Sequence, residues 1–228
     1  MLRVAVVLLA GCTPQLDDPY VPAELQESTL DGLLAGAGSR HAGRLAMTVA
    51  GSVPGDPGSG EVAAAATLLF GGLTFQLEGT FEPGGRGLLL GGEGFALTGL
   101  GTADGIVGAS VGPAGGGQFV ALREGLASRR LCGTLTRPAS GTEPNFRPQF
   151  DGGLGLLATA QGEVHAVYDL GSSGGSAIGT LSGSRLSIPT SDGGNFTGTL
   201  LEGTVDGTFS VDGEDGTFVA VEGACPGD

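Results

Sequence analysis

The 228-residue sequence has no tryptophan and no lysine, only two histidines and three cysteines, and only 5% aromatic residues. Each shortage narrows what the chain can do. Without a lysine there is no Walker phosphate loop, because that loop needs the ammonium on the phosphates. Ten basic residues, all arginine, face 24 acidic ones for a formal charge of −14. Nucleic-acid binding needs a clustered basic surface, so no nucleic-acid partner is expected. His41 and His165 stand far apart and no cysteine pair has ligand spacing, so zinc is unsupported and no cofactor motif is found. The apolar run at residues 4–10 is too short for a helix to cross a bilayer, which takes about 20 residues.

What is abundant is glycine, at 47 residues, beside 40% hydrophobic residues and a mean hydropathy of +0.22. Disordered chains are poor in such residues, so this is a folding composition. Glycine inside strands costs about 0.5–1 kcal/mol relative to alanine, and the fold therefore needs many paired strands or a covalent staple.

The most informative stretch is 203–223, GTVDGTFSVDGEDGTFVAVEG. Val205, Gly207, Phe209 and Val211 alternate with Asp206, Thr208, Ser210 and Asp212, a turn follows at Gly213 to Gly216, and a second arm carries Phe218. That is one β-hairpin by its period of two. Ninety-nine positions earlier Ile106, Gly108, Phe119, Val120 and Ala121 stand where Val205, Gly207, Phe218, Val219 and Ala220 stand here. An internal repeat at this spacing points to two related units.

From Arg44 onward the chain reads as strands and turns. Leu45, Met47 and Val49 alternate, residues 53–60 form a Pro/Gly loop, and Leu73, Phe75, Leu77, Gly79 and Phe81 alternate with polar residues. Further strands are expected near 62–70, 88–90, 95–100, 155–159, 164–170, 178–181, 185–188 and 196–201, with an exposed loop at 141–151. No amphipathic helix interrupts them. The predicted fold class is all-β: an antiparallel meander in two related barrel- or sandwich-like units, 44–131 and 132–228. Upstream, the prolines and aspartates of 13–24 read as a tether, and Leu25, Leu30, Leu33 and Leu34 predict a short helix within 22–34.

Ahead of the tether, Met1-Leu2-Arg3 is a small positive region, 4–10 is apolar, and Leu9-Ala10-Gly11-Cys12 follows. This tetrapeptide resembles the lipobox of bacterial lipoproteins. The resemblance implies that 1–11 is a signal peptide, that Cys12 carries lipid as the first mature residue, and that 12–43 is the lipidated tether. It also implies a membrane partner reached through that lipid and a place in the cell envelope. Thr13 is not the aspartate that holds enteric lipoproteins at the inner membrane, so the outer membrane is expected. The Gly/Thr rhythm from Leu45 to Cys225 is similar to β-meander domains of uncharacterised bacterial lipoproteins, a likeness that brings no activity with it.

If Cys12 is lipidated, Cys132 and Cys225 remain in an oxidising compartment. They form a disulfide closing a 93-residue interval, or stay as two free or reactive thiols. The bridge is worth about 4–5 kcal/mol in the chain-entropy account.

Catalytic candidates are few, and no catalytic residue is assigned. Gly108-Ala109-Ser110-Val111-Gly112 matches the G-x-S-x-G pattern without the strand-turn-helix context of a nucleophile elbow. His165 and Asp169 share a strand face about 13 Å apart, too far for a base and its orienting acid. Asp212, Glu214 and Asp215 around their glycines read either as a solvated turn or as oxygen ligands for Ca²⁺. Three functions follow: a non-catalytic envelope lipoprotein with a structural or interaction β-domain; a small-ligand-binding barrel of avidin- or lipocalin-like architecture, though those cavities use aromatics and this chain has no tryptophan; and a hydrolase built on Ser110 or surface carboxylates.

Overall fold

In the computed structural model, described for residues 25, 27–36, 42–50, 62–82, 87–102, 104–113, 115–171 and 174–225, every regular element is a β-strand. The lipobox with Cys12, the signal peptide, most of the tether, His41 and the 53–60 loop lie outside the described residues.

The strands close into two antiparallel barrels in chain order. The first joins β1 (Ser28–Gly36), β2 (Gly43–Val49), β3 (Val62–Phe70), β4 (Leu73–Glu82), β5 (Gly87–Gly92), β6 (Phe95–Gly101), β7 (Gly105–Gly112) and β8 (Gly115–Arg123), with β8 pairing back onto β1. The second joins β9 (Ala127–Arg137), β10 (Phe150–Thr159), β11 (Glu163–Asp169), β12 (Gly174–Ser182), β13 (Arg185–Pro189), β14 (Asn195–Leu201), β15 (Thr204–Val211) and β16 (Glu214–Glu222), with β16 pairing back onto β9. Closure leaves no sheet edge to protect, which suits short strands joined by tight turns.

Alternate residues point inward, and side chains fill both barrels. Leu45, Met47, Leu68, Phe81 and Phe119 pack inside the first, and Leu135, Ile188, Phe196 and Phe218 inside the second. The repeated hairpin explains itself here. Gly99 pairs with Gly108 across β6 and β7, and Gly198 pairs with Gly207 across β14 and β15. The Phe119 ring lies over the first pair and the Phe218 ring over the second. A methyl at Gly108 or at Gly207 would sit 2.8 Å from the ring and collide with a neighbouring carbonyl oxygen. Aromatic pairs recur too: Phe70 with Phe95 at 5.8 Å and Tyr168 with Phe196 at 5.0 Å, between the third and sixth strands of each barrel.

The barrels pack side by side, β1 and β8 of the first against β10, β11 and β12 of the second. Of these, β1, β10 and β11 and the Phe119–Leu122 stretch of β8 are buried on both faces. On β1, Leu30 and Leu34 enter the barrel while Leu33 and Ala35 enter the interface; on β8, Phe119 and Ala121 go inward while Val120 and Leu122 go outward. Leu157 of β10 and Val167 of β11 meet them from the other side. Burying each such side chain contributes about 1.5–3 kcal/mol. At the rim Asp31 of β1 pairs with Arg44 of its own barrel and with Arg130 of the other.

This double burial corrects the helix expected within 22–34. Leu30, Leu33 and Leu34 have helix-like spacing because two apolar environments claim both faces of one strand. The unit boundaries shift accordingly: the first barrel begins at Ser28, inside the expected tether, and β9 runs across the expected 131/132 boundary. Cys132 therefore sits within β9 and is joined to Cys225, with Cα atoms 5.0 Å apart, in the apolar cluster between the barrels.

Replacing Gly207 with Ala should destabilise the protein by about 1–3 kcal/mol through overpacking. Gly91→Ala, where the nearest atom to an added methyl is 3.9 Å away, should be close to neutral in the same urea titration. Cys225→Ser should cost about 2–5 kcal/mol by that measurement.

Candidate functional site

A cavity of about 660 Å³ lies along β2, β3 and β4 of the first barrel, lined mostly by the small side chains of Ala50, Ala63, Ala64 and Ala65 with Glu78, and two smaller ones lie where the barrels meet. One, of about 360 Å³, opens between β7–β8 of the first barrel and the end of β11, Gly171 and the start of β12 in the second. Its width comes from small residues. Ala35 and Ala109 are the cross-strand partners of Gln118, so the only long side chain in that row stands between two methyls. Gly116 and Gly117 on one wall and Gly171 and Gly174 on the other add no side chain.

The second barrel brings Asp169 and Tyr168 to this cleft. Asp169 Oδ1 accepts the Gly171 N–H at 2.8 Å. Burial raises the Asp169 pKa above the usual carboxylate range, partly offset by that hydrogen bond. The Tyr168 phenol is also raised, first by burial and then by the negative charges of Asp212 and Asp192. Asp192 itself is held below the usual range because the Thr190 hydroxyl donates to Oδ1 at 2.5 Å and the Asp212 N–H to Oδ2 at 2.5 Å. Those bonds tie the β13–β14 turn to the β15–β16 turn.

A second cavity, of about 340 Å³, is more apolar and is walled by Val107 and Val120 of the first barrel and His165, Ile178 and Pro189 of the second. His165 is 7% exposed. Its Nε2 lies 2.7 Å from Glu163 Oε1, and with the carboxylate as acceptor the neutral ring carries its proton on Nε2. Its Nδ1 is buried without a partner among the described residues.

The residues singled out from sequence are not brought together as one site. Ser110 lies in the middle of strand pairing, opposite Leu97 and Gly117. It faces the same way as Leu97, into the first barrel, with Oγ buried and unpartnered among the described residues. The repeat puts Phe209 at this place in the second barrel, where its ring packs on Phe196 at 5.8 Å. In the first barrel Phe75 takes the aromatic role against Phe95 at 4.6 Å. Ser110 and Asp169 line one cavity and His165 lines the other, so no nucleophile, base and acid converge among the described residues.

Of the three carboxylates weighed as calcium ligands or a turn, Asp212, Glu214 and Asp215, Glu214 is engaged by two arginines. Arg137 Nη1 donates to Glu214 Oε2 at 3.2 Å and Arg147 Nη1 to Oε1 at 2.6 Å, so both carboxylate oxygens hold down the 138–149 connection. Asp212 occupies the turn at φ 53°, and no group of three metal-capable side chains forms among the described residues.

Sequence reading missed Gln118, Ala35, Ala109 and Glu163. The first three matter only because the other barrel faces them, and no local pattern signals that. Glu163, two residues before His165, was legible as a same-face neighbour on a strand.

The raised pKa of Asp169 has a stability consequence with a definite sign. Its protonated form is the one the fold favours, so that contribution is present below the unfolded pKa and lost as pH rises through the folded value. Asp169→Asn, which keeps an acceptor for Gly171, should raise the melting temperature at neutral pH, and the gain should close as pH falls through the carboxylate range in thermal melts.

No protein-family model matches the chain, and no curated protein matches it. Among solved structures it is similar to the crystal structure of a protein of unknown function from the DUF3598 family of Nostoc punctiforme PCC 73102, at 12% identity and a TM-score of 0.22, over 86% of this chain and 95% of that one. At that TM-score the similarity carries no argument, and the assignment of two β-barrels rests on this chain's own strand pairing.

Proposed function

We propose that this chain is a non-catalytic binding protein of the cell envelope, anchored through lipid on Cys12, whose working surface is the groove between its two barrels. The observation that carries the binding part is that two cavities with polar groups on their walls, Asp169 and Gln118 in one and His165 in the other, are each formed by both barrels, while the barrel interiors are packed with side chains. Ligands of closed barrels enter the lumen when it is open; here the space lies outside it. The anchoring part is supported by Leu9-Ala10-Gly11-Cys12 and by the Pro- and Asp-containing stretch that follows. Thr13 favours the outer over the inner membrane. A net charge of −14 keeps the body away from anionic headgroups and leaves the acyl chains as the hold on the bilayer.

The test is the intact mass of the full chain expressed in a bacterial envelope, before and after reduction and alkylation. Cleavage ahead of Cys12, added acyl mass, no alkylatable thiol before reduction and two after it are expected, with Cys12→Ser accumulating unprocessed. An unprocessed chain with three alkylatable thiols would overturn the anchor.

A further inference from the structure

We infer that the cleft walled by Gln118 and Asp169 is a binding site for a small alkylammonium ion. The inference rests on the groove being the working surface and adds the chemistry of what it takes.

Asp169 is the starting point. Among the described residues no basic side chain pairs with it, and only Oδ1 is engaged, by the Gly171 N–H at 2.8 Å. Oδ2 has no hydrogen-bond partner there. A half-buried carboxylate with one free oxygen and no counter-charge is costly to maintain in a fold, and its raised pKa reports that cost. A cation arriving from solution removes it.

The type of cation follows from the walls. A guanidinium prefers both oxygens of a carboxylate, and here Oδ1 is taken. A divalent metal needs several oxygen ligands, and among the described residues Asp169 is the only carboxylate lining the cleft. An ammonium group is a compact charge with three donors. One can reach Oδ2 and another the Gln118 side-chain oxygen, both residues lining the same cavity, while the third stays toward solvent. The exposed Ala109 methyl beside Gln118 accepts a short alkyl chain. The charge of −14 raises the local concentration of cations and repels anions.

The full chain, isotopically labelled, is titrated with 1,4-diaminobutane and in parallel with 1-butanol while amide shifts are followed. Saturable shifts at Gly117, Gln118, Gly171 and Gly174 are expected with the diamine alone. Affinity should fall at least about tenfold in Asp169→Asn, as for loss of a charged hydrogen bond. It should fall similarly in Ala109→Leu, which fills the rim from an exposed position. Binding should be unchanged in Asp206→Asn, which removes the same charge from an exposed position on β15. It should also weaken as pH drops through the Asp169 titration. Undiminished binding in Asp169→Asn, or equal loss in Asp206→Asn, would overturn the inference as general attraction to an acidic protein. Equal binding of 1-butanol would keep the groove and remove the ammonium. Silence with both probes would remove the ammonium as well, and the envelope processing of Cys12 is decided by its own mass measurement.

Discussion

Closing eight short strands around a small interior with so few aromatic rings depends on one contact: a phenylalanine laid over a cross-strand pair of glycines. Phe119 over Gly99 and Gly108, and Phe218 over Gly198 and Gly207, each fill the lumen where the backbone is barest. The glycines give up side-chain surface, and the ring recovers it by covering both strands at once. The rest of each interior is aliphatic and layered around that ring. This is how a glycine-rich chain without tryptophan still builds two packed barrels.

Packing the lumens leaves the free space around the outer walls of the barrels. Those walls are held together by strands buried on both faces, by the ion pair of Asp31 with Arg130, and by the Cys132–Cys225 bridge within the same apolar cluster. The interface is flanked by two cavities of different character. One offers Asp169 and Gln118, and the other is apolar beside His165. Asp169 stands where burial favours a neutral side chain, the stability cost that the proposed ammonium site would offset. The acidic residues nearby take structural parts instead: Asp192 braces two turns and Glu214 clamps Arg137 and Arg147.

Much of the fold was legible from residues. Where one strand face met water, as in β4 with Leu77 and Phe81 inward, the period of two was plain. The 99-residue repeat announced two related units through Phe119 and Phe218, although barrel or sandwich stayed open until the pairing of β8 with β1 and of β16 with β9. Legibility failed where both faces were covered. In β1 the alternation vanished because Leu33 has as good a home as Leu34. The site was hardly legible at all. His165 and Asp169 were visible as same-face neighbours, but Gln118 comes from a different barrel and its importance rests on two alanines beside it.

The sequence by itself determined the strand rhythm, the duplication, the acidic surface, the lipobox-like start and the pair of cysteines left to meet, because these are properties of composition and short-range period. Tertiary structure alone decided that the sheets close, that the lumens fill, that Glu214 belongs to two arginines, and that a cleft opens between barrels. Each of those depends on which outward-facing residues of one unit meet which of the other, and side-chain alternation along a strand carries no information about what will lie across from it.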